Sequence, residues 1–194
     1  MPIAGQWRHI CVDMQRMFAE DTPWHVPWMN TVLPQVGEVV DRFAERTIFT
    51  RFMPPAHADD APGMWRDYYR KWWMMTGEHM PREMADVMPA LKTYVPPARC
   101  FDKTAYSPWL DGRLHAILTG EEVKTLIVSG GETDVCVLAT VLGAIDLGYR
   151  MILLKDAVCS GADETHDASL DLLSSRFSVQ LEVMETEAFL ASAT

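Results

Sequence analysis

Leu126-Ile127-Val128-Ser129-Gly130-Gly131-Glu132-Thr133-Asp134-Val135-Cys136 is the stretch whose reading decides the fold. An unbroken apolar run ends in two glycines, polar Thr133 and Asp134 follow, and Cys136 stands where an amphipathic run begins. The pattern predicts a buried strand, a tight turn and a helix start. A cysteine in the first turn of a helix lies among unpaired backbone N–H groups at the positive end of the dipole, and both favour the thiolate. Thr133 suits the cap of that helix and Asp134 its first turn, while Gly130 and Gly131 permit angles or approaches that a side chain would block. The same N–H groups are placed to hold a developing oxyanion. Cys136 is therefore a candidate nucleophile; the alternative is a buried structural cysteine after an ordinary strand-to-helix turn.

Working outward, the same grammar repeats. His9-Ile10-Cys11-Val12 reads as a first strand with Asp13 at its C-terminal end, the end at which ligands sit in open α/β sheets. An irregular loop over 17–30 leads to a helix over 31–46, with Leu33, Val36, Val40 and Phe43 on one face, and then to a strand over 47–52. A third strand spans 99–103 and ends in Lys103, before a helix from about Leu110 to Leu118. After Cys136 an almost wholly apolar helix should be buried and end at Gly148. A strand over 150–155 runs on towards Ser160, whose spacing to Asp163 suits a capping box for a helix to about Phe177, and 179–183 alternates as an edge strand does. Strands alternating with helices specify an α/β fold, a doubly wound, mainly parallel sheet covered on both faces as a three-layer sandwich.

The 194 residues suffice for a single domain, 1–194. A net charge of −10 without a basic stripe argues against a nucleic-acid partner. Apolar runs are strand-sized, so no membrane span or leader is expected, and a soluble, cytoplasmic protein is. Cys11, Cys100, Cys136 and Cys159 lack metal-ligand spacing and should be reduced thiols. The segment 53–99 differs in texture: prolines punctuate it, and Trp65, Tyr68, Tyr69 and Trp72 share a face of what reads as one helix within 64–80. That insertion packs on the domain or on another subunit, or forms a lid or apolar wall beside the site.

Asp13, Lys103 and Cys136 each fall just past a different strand and so share one crevice: a carboxylate to take the thiol proton, a cation to hold negative charge, a thiolate to attack an acyl carbon. The alternative is a plain ion pair of Asp13 and Lys103 across the sheet end. Asp13-Met14-Gln15 with Phe18 behind it, Lys103 after the third strand, and Gly131-Glu132-Thr133-Asp134-Val135-Cys136-Val137 together resemble the isochorismatase-like cysteine hydrolases, a superfamily that includes nicotinamidases, N-carbamoylsarcosine amidohydrolases and ureidoacrylate amidohydrolases. The resemblance spans nearly the whole chain. It implies a Rossmann-like hydrolase with Asp13 as general base, Lys103 as electrostatic partner and Cys136 as nucleophile. It also implies a non-proline cis peptide at Glu132 or its neighbours, aiming the N–H groups of Cys136 and a neighbour such as Thr133 at the oxyanion.

Comparison within that superfamily narrows the expectation. Its enol-ether-cleaving members typically lack the cysteine, so hydrolysis of an amide or ureido C–N bond of a small molecule through a thioester is the better match; an enol-ether hydrolase and a silent binding protein on the same fold are the alternatives. Phe52 and Pro54 occupy the positions of the nicotinamidase Asp-x-His metal motif, and His57, Asp59 and Asp60 read as a solvated loop, so neither a metal nor another cofactor is expected. Gln15, Phe18, Arg51 as a carboxylate binder, Trp65, Tyr106 and Trp109 are candidates for binding substrate, whereas His115 and His166 read as packing or surface residues. The Trp-rich segment, and the superfamily's habit of forming dimers or tetramers, make a homo-oligomer the expectation.

Overall fold

The computed structural model describes residues 3 and 5–193. Six strands, β1 (Trp7–Val12), β2 (Thr47–Phe52), β3 (Arg99–Lys103), β4 (Thr125–Gly131), β5 (Arg150–Cys159) and β6 (Leu181–Met184), pair in parallel in the order β3-β2-β1-β4-β5-β6. β4 is buried at all seven positions, as its unbroken apolar run requires of a strand covered on both faces. The helices are α1 (Arg16–Ala19), α2 (Met29–Phe43), α3 (Met64–Lys71), α4 (Pro89–Lys92), α5 (Arg113–Gly120), α6 (Leu138–Asp146), α7 (Asp163–Arg176) and α8 (Thr186–Ser192).

Alternation along the strands divides the core in two. Trp7, Cys11, Phe49, Ile127 and Ile152 pack with Val36 and Val40 of α2, Leu91 of α4 and Phe189 of α8. Ile10, Val12, Ile48, Val128 and Leu153 face the other way, onto Leu114 of α5, Val141 of α6 and Leu173 of α7. The result is the single-domain, three-layer α/β sandwich that the sequence predicts. A third cluster, of Met17, Phe52, Tyr69, Met75 and Met80, lies under the 53–99 segment. Among the described residues no helix is long and apolar enough to cross a membrane.

The topology fixes where a site can form. From β1 the chain steps outward through β2 to β3, then returns to the other side of β1 with β4, so the C-terminal ends of β1 and β4 flank the switch point of the sheet. Gly130 makes this junction possible. Its φ is +106°, and a Cβ there would stand 2.1 Å from the Val12 carbonyl oxygen.

Several boundaries differ from the sequence reading. The aromatic helix stops at Lys71 and continues only as a 3-10 turn over Trp73–Met75, because the aromatic stripe supplies a face but no cap or continuing apolar spacing. α5 starts at Arg113, after Gly112 in the left-handed region at φ +73°. α7 is preceded by Ala162 in the capping position with no side-chain cap, and Ser160 instead donates to Asp134 Oδ1 at 2.6 Å.

Two stability predictions follow from the sheet. His9 is fully buried between Thr47 Oγ1 (3.1 Å) and Ser129 Oγ (2.8 Å), and burial pushes its pKa down to about 3. The unfolded chain therefore takes up a proton at His9 that the folded chain refuses, so stability is full above about pH 6.5 and falls below it by about 1.4 kcal/mol per pH unit towards pH 3. Urea unfolding at several pH values should show a shallower acid slope in His9→Gln than in the wild type. Gly130→Ala should lower the urea midpoint strongly, by about 3 kcal/mol or more, since both its φ and its contact with Val12 are incompatible with a side chain.

Candidate active site

The Asp13 side chain leaves β1 from a backbone at φ +49°, an uncommon conformation that aspartate tolerates better than most residues. Its amide donates to the Thr50 carbonyl and hydroxyl oxygens, each at 3.2 Å, and the Thr50 hydroxyl donates back to Asp13 Oδ1 at 2.6 Å. Lys103 reaches across β2 from the end of β3 and donates to Asp13 Oδ2 at 2.7 Å and to the Ala105 carbonyl at 3.1 Å. The two side chains are 1% and 3% exposed. Each carboxylate oxygen thus has a fixed donor, as a buried charge requires.

Cys136 completes the group from the far side of the switch point. Gly131–Glu132 is a cis peptide, at the position the resemblance implies. The chain then enters a π-helical turn, Thr133–Val137, in which the Glu132 carbonyl accepts from both Val135 N and Val137 N before α6 begins. This turn, with no side-chain cap, replaces the expected Thr133-capped helix start. The Thr133 hydroxyl pairs with His166 Nδ1 at 2.8 Å instead.

Burial raises the Cys136 thiol well above its ordinary range; the charge of Asp13 pushes it up further, and Lys103 opposes them. The dipole argument for a resting thiolate fails because the sulfur is buried beside a carboxylate. Burial acts against the Lys103 ammonium, but the charge of Asp13 and the hydrogen bond to it oppose that and hold its pKa above the ordinary lysine value. The resting arrangement is therefore a thiol beside an ionised pair.

A cavity of about 370 Å³ opens over Asp13 and Cys136. Glu132 and Val135 line it beside Cys136, and Phe18, Trp24, Phe52, Tyr68, Trp72 and Tyr106 form most of its apolar wall. The cavity thus takes in Phe18 and Tyr106 as expected, and two residues of the aromatic segment serve as wall. Nothing in the sequence points to Trp24 or His25 as pocket residues, and Thr50, which orients Asp13, carries no signal beyond its place in a strand.

Four of the expected binding residues lie elsewhere. Gln15 is fully buried and spends its amide on backbone, donating to Phe52 O (3.0 Å) and Ala85 O (2.7 Å) and accepting from Phe52 N (2.7 Å). Arg51 is neutralised by Asp102, at 2.7 and 2.9 Å, and by Asp86, away from the cavity. Trp65 stands behind the wall, 4.8 Å from the Tyr106 ring. Trp109 donates from Nε1 to Thr140 O at 2.9 Å and covers Gly143, where a Cβ would stand 2.3 Å from its ring. In the 53–60 loop His57 pairs with Glu78, Asp59 with Arg70, and Asp60 accepts from His57 N.

A family model described as the isochorismatase domain matches residues 9–187. The chain belongs to the isochorismatase family. A cysteine hydrolase from Pseudomonas syringae pv. phaseolicola superposes with a TM-score of 0.83 at 24% identity, over 96% of this chain and 91% of that one. N-carbamoylsarcosine amidase from Thermoplasma acidophilum gives 0.74 at 19% identity, over 94% and 98%. These two share the fold. A probable inactive nicotinamidase of Arabidopsis thaliana is 24% identical over 177 residues, 87% of this chain and 89% of its own.

The electrostatics predict the behaviour of the thiol. Peptide-resolved alkylation against pH should place the Cys136 midpoint above that of a free cysteine; Asp13→Asn should move it down and Lys103→Gln further up.

Proposed function

We propose that this chain is a cysteine hydrolase that cleaves an amide or ureido C–N bond of a small molecule. The observation that supports it most is the convergence of Asp13, Lys103 and Cys136 from three separate strand ends, with Asp13 and Cys136 on the lining of one cavity and Lys103 held against Asp13. As the Cys136 sulfur attacks the carbonyl carbon, its proton passes to the Asp13 carboxylate, so the raised thiol pKa is met by a base already in place. Lys103 holds the negative charge that develops, and backbone N–H groups of the 132–136 turn serve the carbonyl oxygen. Protonated Asp13 returns its proton to the nitrogen, the C–N bond breaks, and ammonia or an amine leaves a thioester on Cys136. Water then gives a proton to Asp13 and adds to the thioester; the C–S bond breaks, the acid product departs, and the proton returns to sulfur. The sum is hydrolysis of one C–N bond.

Ammonia release from a panel of primary amides, ureides and carbamoyl compounds tests the reading. On the best compound, Cys136→Ala and Asp13→Asn should each lose activity on the order of 10³-fold or more. Ammonia from no compound would favour the enol-ether and silent-binding readings, and cleavage of an isochorismate-like enol ether kept by Cys136→Ala and lost by Asp13→Asn would assign the chain to enol-ether hydrolysis.

A further inference from the structure

The charges around the cavity do not cancel. Asp13 is balanced by Lys103 and Cys136 rests as a thiol, which leaves Glu132 as the remaining acidic group, with the His25 ring also on the lining. This side chain is partly buried, lines the cavity, and has as its anchor one backbone donor, Gly161 N to Oε2 at 2.8 Å. Among the described residues no lysine or arginine pairs with Glu132, and none lines the cavity. Burial raises the Glu132 carboxyl above its ordinary value, the Gly161 hydrogen bond opposes this, and the charge of Asp134 adds to it; Tyr68 and Tyr106 stand on the wall of the same cavity.

That wall is aromatic. The Trp24 ring lies 6.1 Å from Phe18, 5.9 Å from Tyr68 and 6.4 Å from Trp72, centroid to centroid, and all four line the space over Cys136. Aromatic faces attract a cation, most strongly where water is displaced. Lys71, which does not line the cavity, already sets its ammonium 5.3 Å from the Trp72 ring centroid. An anionic substrate would meet the opposite: the one well-placed cation, Lys103, is spent on Asp13, and Arg51 is spent on Asp102 and Asp86. A carboxylate without a lysine or arginine partner, on the lining of a cavity that also has an aromatic wall, suits a positively charged group, whose charge answers Glu132 while its alkyl groups cover the rings.

We infer that the substrate of this site is a small amide carrying an ammonium or quaternary ammonium group, held between Glu132 and the Trp24-Tyr68-Trp72 wall. Glu132 is then the residue that sets specificity, through charge and without a part in bond cleavage. The inference takes the bond cleaved from the amidohydrolase reading, but the preference for a cation is a property of binding and is measured separately.

Three probes of similar shape carry the test: trimethylammonioacetamide, its neutral carbon isostere tert-butylacetamide, and anionic malonamate. Binding to Cys136→Ala is followed by tryptophan fluorescence and calorimetry, and ammonia release by the wild type. The cationic amide should bind about tenfold or more tighter than the neutral one, and malonamate weakest. Glu132→Gln, which keeps an acceptor for Gly161, should remove most of that preference, read as the ratio of the cationic to the neutral affinity within the same variant; Trp24→Leu should weaken both the cationic and neutral amides. Equal binding of the cationic and neutral amides, preference for malonamate, an unaltered preference in Glu132→Gln, or no binding by any probe would each overturn the inference. Ammonia released without the cationic preference would remove this inference alone, and cationic binding without ammonia from any compound would remove the amidohydrolase reading alone.

Discussion

A carboxylate and an ammonium held out of water, Asp13 on Lys103 at 2.7 Å, are the constraint to which the rest of the structure answers. Withdrawing two such charges costs several kcal/mol each, and the cost is recovered only if every remaining lone pair and proton has a partner. Thr50 and Ala105 supply those partners from neighbouring strand ends. Lys103 lies two strands from Asp13, a span its side chain crosses only because β2 holds the strands in register, Val12 opposite Thr50 and Phe52 opposite Lys103. The pair is thus a product of the whole half-sheet.

The other half of the sheet brings the sulfur to that pair. Gly130 lets β4 pass against Val12 more closely than any other residue would allow, and the π turn after Glu132 sets Cys136 over the carboxylate before α6 begins. Burial, which makes the resting thiol reluctant to ionise, also strengthens the effect of each neighbouring charge on it. A thiol that ionises only against a fixed base is protected from incidental alkylation and oxidation, which act on the thiolate. Cys11 and Cys159, buried without such a cation, are raised by burial as well, Cys159 to about 12.

The cavity wall is assembled differently. Phe18 comes from α1 and Trp24 from the loop after it, Tyr68 and Trp72 from the aromatic segment, and Tyr106 from the turn after β3. These residues gather because each loop leaves the same C-terminal edge of the sheet, and their mutual packing, as in Trp24 against Tyr68 at 5.9 Å, gives a rim of loops a fixed shape.

The alternation of strand and helix, the parallel sheet, and the placement of Asp13, Lys103 and Cys136 at strand ends are legible in the residues alone, because period, turn chemistry and chain direction are local properties that a run of residues carries with it. Gly130 and Gly131 were legible for the same reason. Only the tertiary structure decided that Gln15 is spent on the backbone of Phe52 and Ala85, that Arg51 is neutralised by Asp102 and Asp86, that Trp109 covers Gly143, and that Trp24 lines the cavity. A polar or aromatic side chain near a strand end has several partners within reach, and which one it takes depends on groups tens of residues away whose positions the local pattern does not encode. The protonation of Cys136 belongs with these: the helix dipole is local, but the burial and the carboxylate that overrule it arrive only when β1 and β4 lie side by side.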